Sequence, residues 1–255
     1  MSALLVTADD FGLHTSVNLA INNCVLFGSV NSVSVIANGK ELDFGMLQGF
    51  ISKKILVGAH ITWVGESWLT EPIFIADWQT LVRRIITSGA AFREKMKIEA
   101  EAQIVRLING GIFPKHIDSH QHIHHFPGVW NVVQHLMLKY DIPRIRVAHV
   151  KSYYQTRKEI SGIILNILAK IRHDDSNNFY CAGIKHAGNY TFDLFNQELQ
   201  IASGYDTELI VHPGFSNYEL NKQYSTWNFD WETEYNALIR PEFLKMVKML
   251  GFEYE

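Results

Sequence analysis

Short apolar runs that end in polar residues, each followed by a stretch of helical periodicity, limit what this chain can fold into more than any other feature. Ala3 to Ala8 is a run of the kind buried in a parallel sheet. After a turn at Gly12, the residues Val17, Ala20, Ile21, Cys24 and Val25 fall on one helical face, and Gly28 supplies the stop. Ser32 to Ala37 and Ile55 to Thr62 predict two more strands, and Trp78 to Thr87 and Arg93 to Asn109 predict helices. His116 to His120 reads as a strand, Val129 to Tyr140 as a helix, Ile145 to Ala148 as a short strand and Glu159 to Ile171 as a helix. Glu208 to His212 is a strand ending at Pro213-Gly214, and Pro241 to Leu250 is a final helix. Strands that alternate with helices require a mostly parallel sheet with helices outside it. The expected fold is α/β, a single domain over residues 1–255 built as a closed or nearly closed (β/α) barrel. An open doubly wound sheet is the weaker alternative, because no Gly-rich phosphate loop follows the first strand. Lys151 to Asn189 is the least regular region.

Composition agrees with one such domain. Of 255 residues, 47% are hydrophobic and 19% charged, enough apolar material for a β/α barrel core. A formal net charge of -3, with Lys53-Lys54 and Arg83-Arg84 as the longest basic groupings, gives no reason to expect nucleic acid or an anionic membrane as partner. No basic region precedes the first apolar run, and no segment approaches the ~18 apolar residues that span a bilayer, so a cytoplasmic location is the expectation. Cys24 and Cys181 read as buried thiols rather than a disulfide, and no CxxC pair occurs.

The polar residues gather at the C-terminal ends of the strands, the rim where parallel β/α folds assemble function. The first strand ends in Asp9-Asp10-Phe11-Gly12 and the third in Gly58-Ala59-His60-Ile61-Thr62. The mid-chain strand runs through His116, Asp118, His120, His122 and His124 at alternate positions, which share one face while the strand persists. They cannot all bind one ion, because at about 3.3 Å per residue His116 and His124 lie some ~26 Å apart. One or two of them can meet at a centre, and Asp10 and His60 are the obvious sources of the remaining ligands. Within the Asp pair, one carboxylate can ligate a metal while the other takes a proton; two such charges side by side raise one pKa unless a cation offsets them. The plain alternatives are a helix cap for an Asp after a strand and a hydrogen-bonded core for a lone His. The second is the reading kept for His14, His135, His149, His173 and His186.

At these motifs the sequence resembles the YdjC-like family of carbohydrate deacetylases, which includes the chitooligosaccharide deacetylases. The resemblance rests on Ala8-Asp9-Asp10-Phe11-Gly12, on Gly58 to Thr62, on His116 to His124 and on His212-Pro213-Gly214, in that order. It implies a deformed (β/α) barrel of the polysaccharide-deacetylase type and removal of N-acetyl groups from acetylated amino sugars. It also implies Asp10, His60 and His120 as metal ligands, Asp9 as general base and His212 as general acid. His122, His124 and Asp118 would stand behind the ligands or face substrate. Ala59 and Trp63 depart from the expected pattern of a larger and a smaller residue, which bears on pocket shape. The resemblance implies magnesium, whereas two imidazoles and one carboxylate suit zinc or another transition metal better. A homodimer is also implied.

These readings converge on a metal-dependent hydrolase with a small-molecule or oligosaccharide substrate. Trp63, Trp68, Phe215, Tyr218 and Trp227 follow the site strands and are candidates to stack on sugar rings. The rivals are an amidohydrolase or phosphoesterase, and a carbohydrate-binding barrel without catalysis. An amidohydrolase normally carries His-X-His on its first strand, where this chain has Asp9-Asp10.

Overall fold

Strand β1 (Ser2–Phe11) is buried from Leu4 to Phe11 and carries the Asp pair inside the strand rather than after it. It leads through Gly12 into α1 (Thr15–Phe27). The His14 side chain accepts the Ser16 N–H to cap α1, and Gly28, at φ 87°, ends it. The predicted face of Val17, Ala20, Ile21, Cys24 and Val25 is buried in full, worth about 1.5–3 kcal/mol for each large side chain. The computed structural model describes residues 1–150, 160–173 and 179–254.

Two compact units divide the chain, and the division passes through β1 after Asp9 and through β2 (Ser32–Val35) after Val33. The first unit comprises Met1–Asp9, His14–Val33 and Val147–Glu255. Here β1 is flanked by β6 (Thr207–Val211) and by the short β7 (Phe252–Tyr254), and β6 pairs onward with β5 (Tyr180–Ala182). Every pairing is parallel, with Leu4 opposite Thr207 and Ala8 opposite Val211. The unit also holds α1, α5 (Ile160–Lys170), α6 (Phe192–Ala202), α7 (Tyr218–Gln223), α8 (Trp231–Leu238) and α9 (Pro241–Met249). Cys24 and Cys181 are buried free thiols, as expected.

The second unit comprises Asp10–Leu13 and Ser34–Arg146. It contains α2 (Phe44–Ser52), β3 (Leu56–Ile61), α3 (Trp78–Asn109), β4 (Ile117–Ser119) and α4 (Val129–Lys139). β3 and β4 are parallel, with His60 opposite Asp118. α3 is two helices joined at Gly89, whose φ of 57° and ψ of -133° break the helix between the two predicted segments. Gly58 has a steric reason to be glycine. A Cβ there would stand 2.1 Å from His116 Nε2, so the imidazole seats directly on the strand backbone.

Three expectations need correction or restriction. The histidine strand stops at Ser119, and His120–His125 forms a 3-10 turn in which Gln121 and His122 take left-handed φ of 55° and 53°. Ser119 Oγ accepts the His124 N–H at 2.9 Å and closes this turn, so His116 to His124 do not share one face. Ile145 to Ala148 is not a strand but one bridge, Ile145 to Ile117, in which Ile117 donates to Arg144 and accepts from Arg146. Residues 151–159 and 174–178 lie outside the described residues, so the predicted helix from Glu159 is seen only from Ile160.

Candidate metal centre

β1 delivers Asp10, β3 delivers His60, and the 3-10 turn after β4 delivers His120; all three lie in the second unit. Asp10 is 1%, His60 2% and His120 7% exposed, so the constellation is assembled out of water. His60 Nε2 is 3.4 Å and His120 Nδ1 is 3.0 Å from Asp10 Oδ1, and the two rings meet edge to face at 5.6 Å. One donor atom from each residue falls within 4.8 Å of the others.

Those separations can be tested against coordination chemistry. Two ligand atoms each ~2.1 Å from one ion stand about 3.0 Å apart at a right angle and about 3.4 Å apart at the tetrahedral angle. Both observed spacings fall in that interval. In addition, Asp10 Oδ2 is buried and accepts no hydrogen bond among the described residues. A buried carboxylate oxygen without a donor is costly unless a cation meets it. The residues present therefore fit a small divalent ion. Burial alone would raise the Asp10 pKa, but His120 and His60 hold it well below the usual carboxylate range.

Asp10 occupies its place through an unusual backbone, φ 67°, a region that Asp tolerates better than most residues. Its carbonyl accepts the Leu13 N–H at 3.1 Å, closing the turn into Gly12. Gly12 has φ 99°, and a Cβ there would stand 2.7 Å from the Ile36 carbonyl oxygen. Behind His60 lies a second buried carboxylate. Asp118 Oδ1 is 2.7 Å from His60 Nδ1, Ser34 Oγ donates to both Asp118 oxygens at 2.8 and 2.9 Å, and Arg146 Nη1 is 2.6 Å from Oδ2. Burial opposes ionisation of Asp118, but Arg146 and His60 carry its pKa well below normal.

The other expected residues are distributed unevenly. His124 is wholly buried. Its Nε2 is 2.9 Å from the Arg146 carbonyl, which can only accept, so its Nδ1 accepts from Ser119 Oγ at 2.7 Å. Burial holds this imidazole neutral, well below the usual histidine pKa, and both nitrogens are engaged within the protein. His122 is partly exposed, and its ring meets those of His124 and His125 at 6.4 and 6.5 Å. Trp63, expected beside substrate, is fully buried with Nε1 donating to the Met96 carbonyl, so it packs the core. Trp68 is also buried, its Nε1 on the Trp63 carbonyl.

Asp9, His212 and Phe215 belong to the first unit. Asp9 is buried on β1. His212 follows β6, keeps 12% side-chain exposure, and packs edge to face on Phe229 at 5.4 Å. Its N–H donates to Glu234 Oε2 at 2.6 Å, with Nδ1 3.9 Å from the same oxygen. Glu234 is fully buried, which raises its pKa. Phe215 packs against Tyr235 at 4.6 Å, and Tyr218 is 77% exposed.

Sequence reasoning missed Ser34, Arg146 and Glu234. The signals were small. Arg146 interrupts the apolar sequence Ile145 to Val147, and Glu234 shares the buried face of α8 with Trp231, Ala237 and Leu238. A charged residue at an apolar-face position marks a buried, paired group.

The parallel β/α scaffold is a fold that this chain shares with solved structures. A structure of a peptidoglycan N-acetylglucosamine deacetylase matches over 99% of this chain and 85% of its own, with TM-score 0.53 and 9% identity. A protein of Enterococcus faecalis named for cellobiose-phosphate cleavage matches over 100% of this chain and 97% of its own, with TM-score 0.71 and 18% identity. The chain belongs to the YdjC-like protein family, whose model matches residues 3–249. It is similar to a carbohydrate deacetylase of Halalkalibacterium halodurans, 25% identical across 97% of this chain and 99% of the relative. No helix among the described residues is long and apolar enough to cross a membrane.

Proposed function

We propose that the protein is a metal-dependent carbohydrate deacetylase that hydrolyses the N-acetyl group of acetylated amino sugars or oligosaccharides. The observation that carries the reading is the buried Asp10, His60 and His120 set, with donor spacings suited to one divalent ion. Membership of the YdjC-like family and similarity to a carbohydrate deacetylase along nearly the whole chain support the substrate class.

In this reading Asp10, His60 and His120 would hold the ion, which would supply Lewis acidity toward the acetamide carbonyl. Asp9 accepts the proton of the attacking water, and His212 returns a proton to the departing amine nitrogen, so acetate and a free amino sugar result. The Glu234 carboxylate accepts the His212 backbone N–H and so fixes where that side chain begins. Two nitrogen donors favour zinc or another transition metal over magnesium. The reading includes a cytoplasmic homodimer, to be checked by light scattering on the purified protein.

The deciding experiment measures acetate release from N-acetylated mono- and oligosaccharides, with metal analysis of the same sample. Acetate release that tracks metal content is expected. A metal-loaded protein that releases no acetate from any of them, or that cleaves phosphate esters instead, sinks the proposal.

A further inference from the structure

Arg146 is wholly buried, a place where arginine is rarely found without a specific partner. Its Nη1 is 2.6 Å from Asp118 Oδ2, and Asp118 Oδ1 is 2.7 Å from His60 Nδ1. An ionised carboxylate only accepts, so a neutral His60 paired to it carries its hydrogen on Nδ1 and presents the Nε2 lone pair. Nε2 is the nitrogen that lies 3.4 Å from Asp10. The main chain of Arg146 has a second attachment. Its carbonyl accepts His124 Nε2 at 2.9 Å, and His124 in turn is bound to Ser119 through both its N–H and its Nδ1. Those bonds close the turn that begins with His120.

Resting on the reading that Asp10, His60 and His120 hold a divalent ion, we infer that Arg146 is a positioning residue for both imidazole ligands. Its side chain, through Asp118, sets which nitrogen His60 presents, and its carbonyl, through His124, anchors the turn that carries His120. The two arms are separable, because substitution of the side chain leaves the carbonyl in place. Arrangements of this kind behind a ligating histidine typically change metal affinity by about 10–100-fold when removed.

The test uses zinc alone and needs no substrate. Long-range proton–nitrogen NMR of the zinc-loaded wild type at neutral pH is expected to show His60 hydrogenated on Nδ1 only. Zinc titration by calorimetry should show affinity lowered about 10–100-fold in Arg146→Met, with partial recovery in Arg146→Lys. The His60 tautomer should scramble in Arg146→Met while the His120 signals stay put; His124→Phe should do the reverse. Should Arg146→Met fail to fold, Arg146→Met combined with Asp118→Leu replaces the whole ion pair by apolar groups, a change buried pairs often tolerate. The same loss of zinc affinity is expected there. His60 found hydrogenated on Nε2 in the wild type, or wild-type zinc affinity in a folded variant of either arm, overturns the inference and leaves the metal site standing. A wild type that binds no zinc overturns the site reading and the inference together.

Discussion

Two histidine clusters in this protein have different surroundings. In the second unit, His60 and His120 face the Asp10 carboxylate, and His60 has Asp118 behind it. In the first unit, the rings of His149, His173 and Tyr180 pack at tilted angles with centroids 4.5 to 5.4 Å apart, and His149 Nδ1 is 2.9 Å from the amide oxygen of Asn166. Asn166 is neutral and also accepts the Val150 N–H at 2.8 Å, so it fastens backbone as much as ring. The contrast teaches that what faces an imidazole matters more than how many histidines gather: His60 has a carboxylate toward each nitrogen, whereas His149 Nδ1 faces an amide oxygen.

The largest effect expected from this contrast comes from the ligands. His120→Ala and His60→Ala should abolish metal binding and acetate release together, whereas His149→Ala should leave both unchanged, as read by metal analysis and turnover. Asp9→Asn should keep the metal and lower kcat by roughly 10²–10⁴, the usual contribution of a general base. Near-normal turnover in that variant removes Asp9 from the role. Next in size is stability. His124→Ala should cost about 2–4 kcal/mol in urea unfolding, because it deletes a buried ring and strands the Arg146 carbonyl and Ser119 hydroxyl. His149→Ala should cost about 1 kcal/mol, the worth of an ordinary hydrogen bond.

A smaller, pH-dependent effect follows from the neutral His124. Its folded pKa lies below the ordinary 6.5, so the unfolded chain binds the proton more readily. The stabilisation is present in full above about 6.5 and is lost as pH falls toward the folded value. The thermal midpoint should drop on acidification from neutrality, less steeply in His124→Gln. A flat profile contradicts the assignment. The smallest change concerns Cys24, whose buried thiol is pushed up to about 12 and should ignore a thiol reagent at neutral pH until the protein unfolds.

Periodicity made α1, α4, α9 and the inner strands legible, because each buries one repeating face against the rest of its unit. It failed where side-chain hydrogen bonds override strand geometry. Nothing in the alternation of His116 to His124 announces that Ser119 will close a turn at His124, yet that bond moves His120 off the strand. Among the elements not foreseen, β5, β7 and α8 are short, so few residues carry their pattern, whereas α2 and α6, as long as α9 and α4, were missed despite their length. The three residues of the candidate centre were named from motif and resemblance. Their supports, Ser34 and Arg146, were not, since buried polar partners have no period and show only as isolated misfits in apolar runs.

The left-handed backbone at Asp10 has a consequence for redesign. On the proposed reading one residue serves as both corner and ligand, and only aspartate, asparagine and glycine occupy that corner cheaply. Asparagine keeps the corner and removes the charge, so Asp10→Asn isolates electrostatics from shape. Glutamate would bring a longer arm and a backbone penalty at once. On that reading, an attempt to retune which ion is accepted has almost no freedom at Asp10, where side chain and backbone are constrained together.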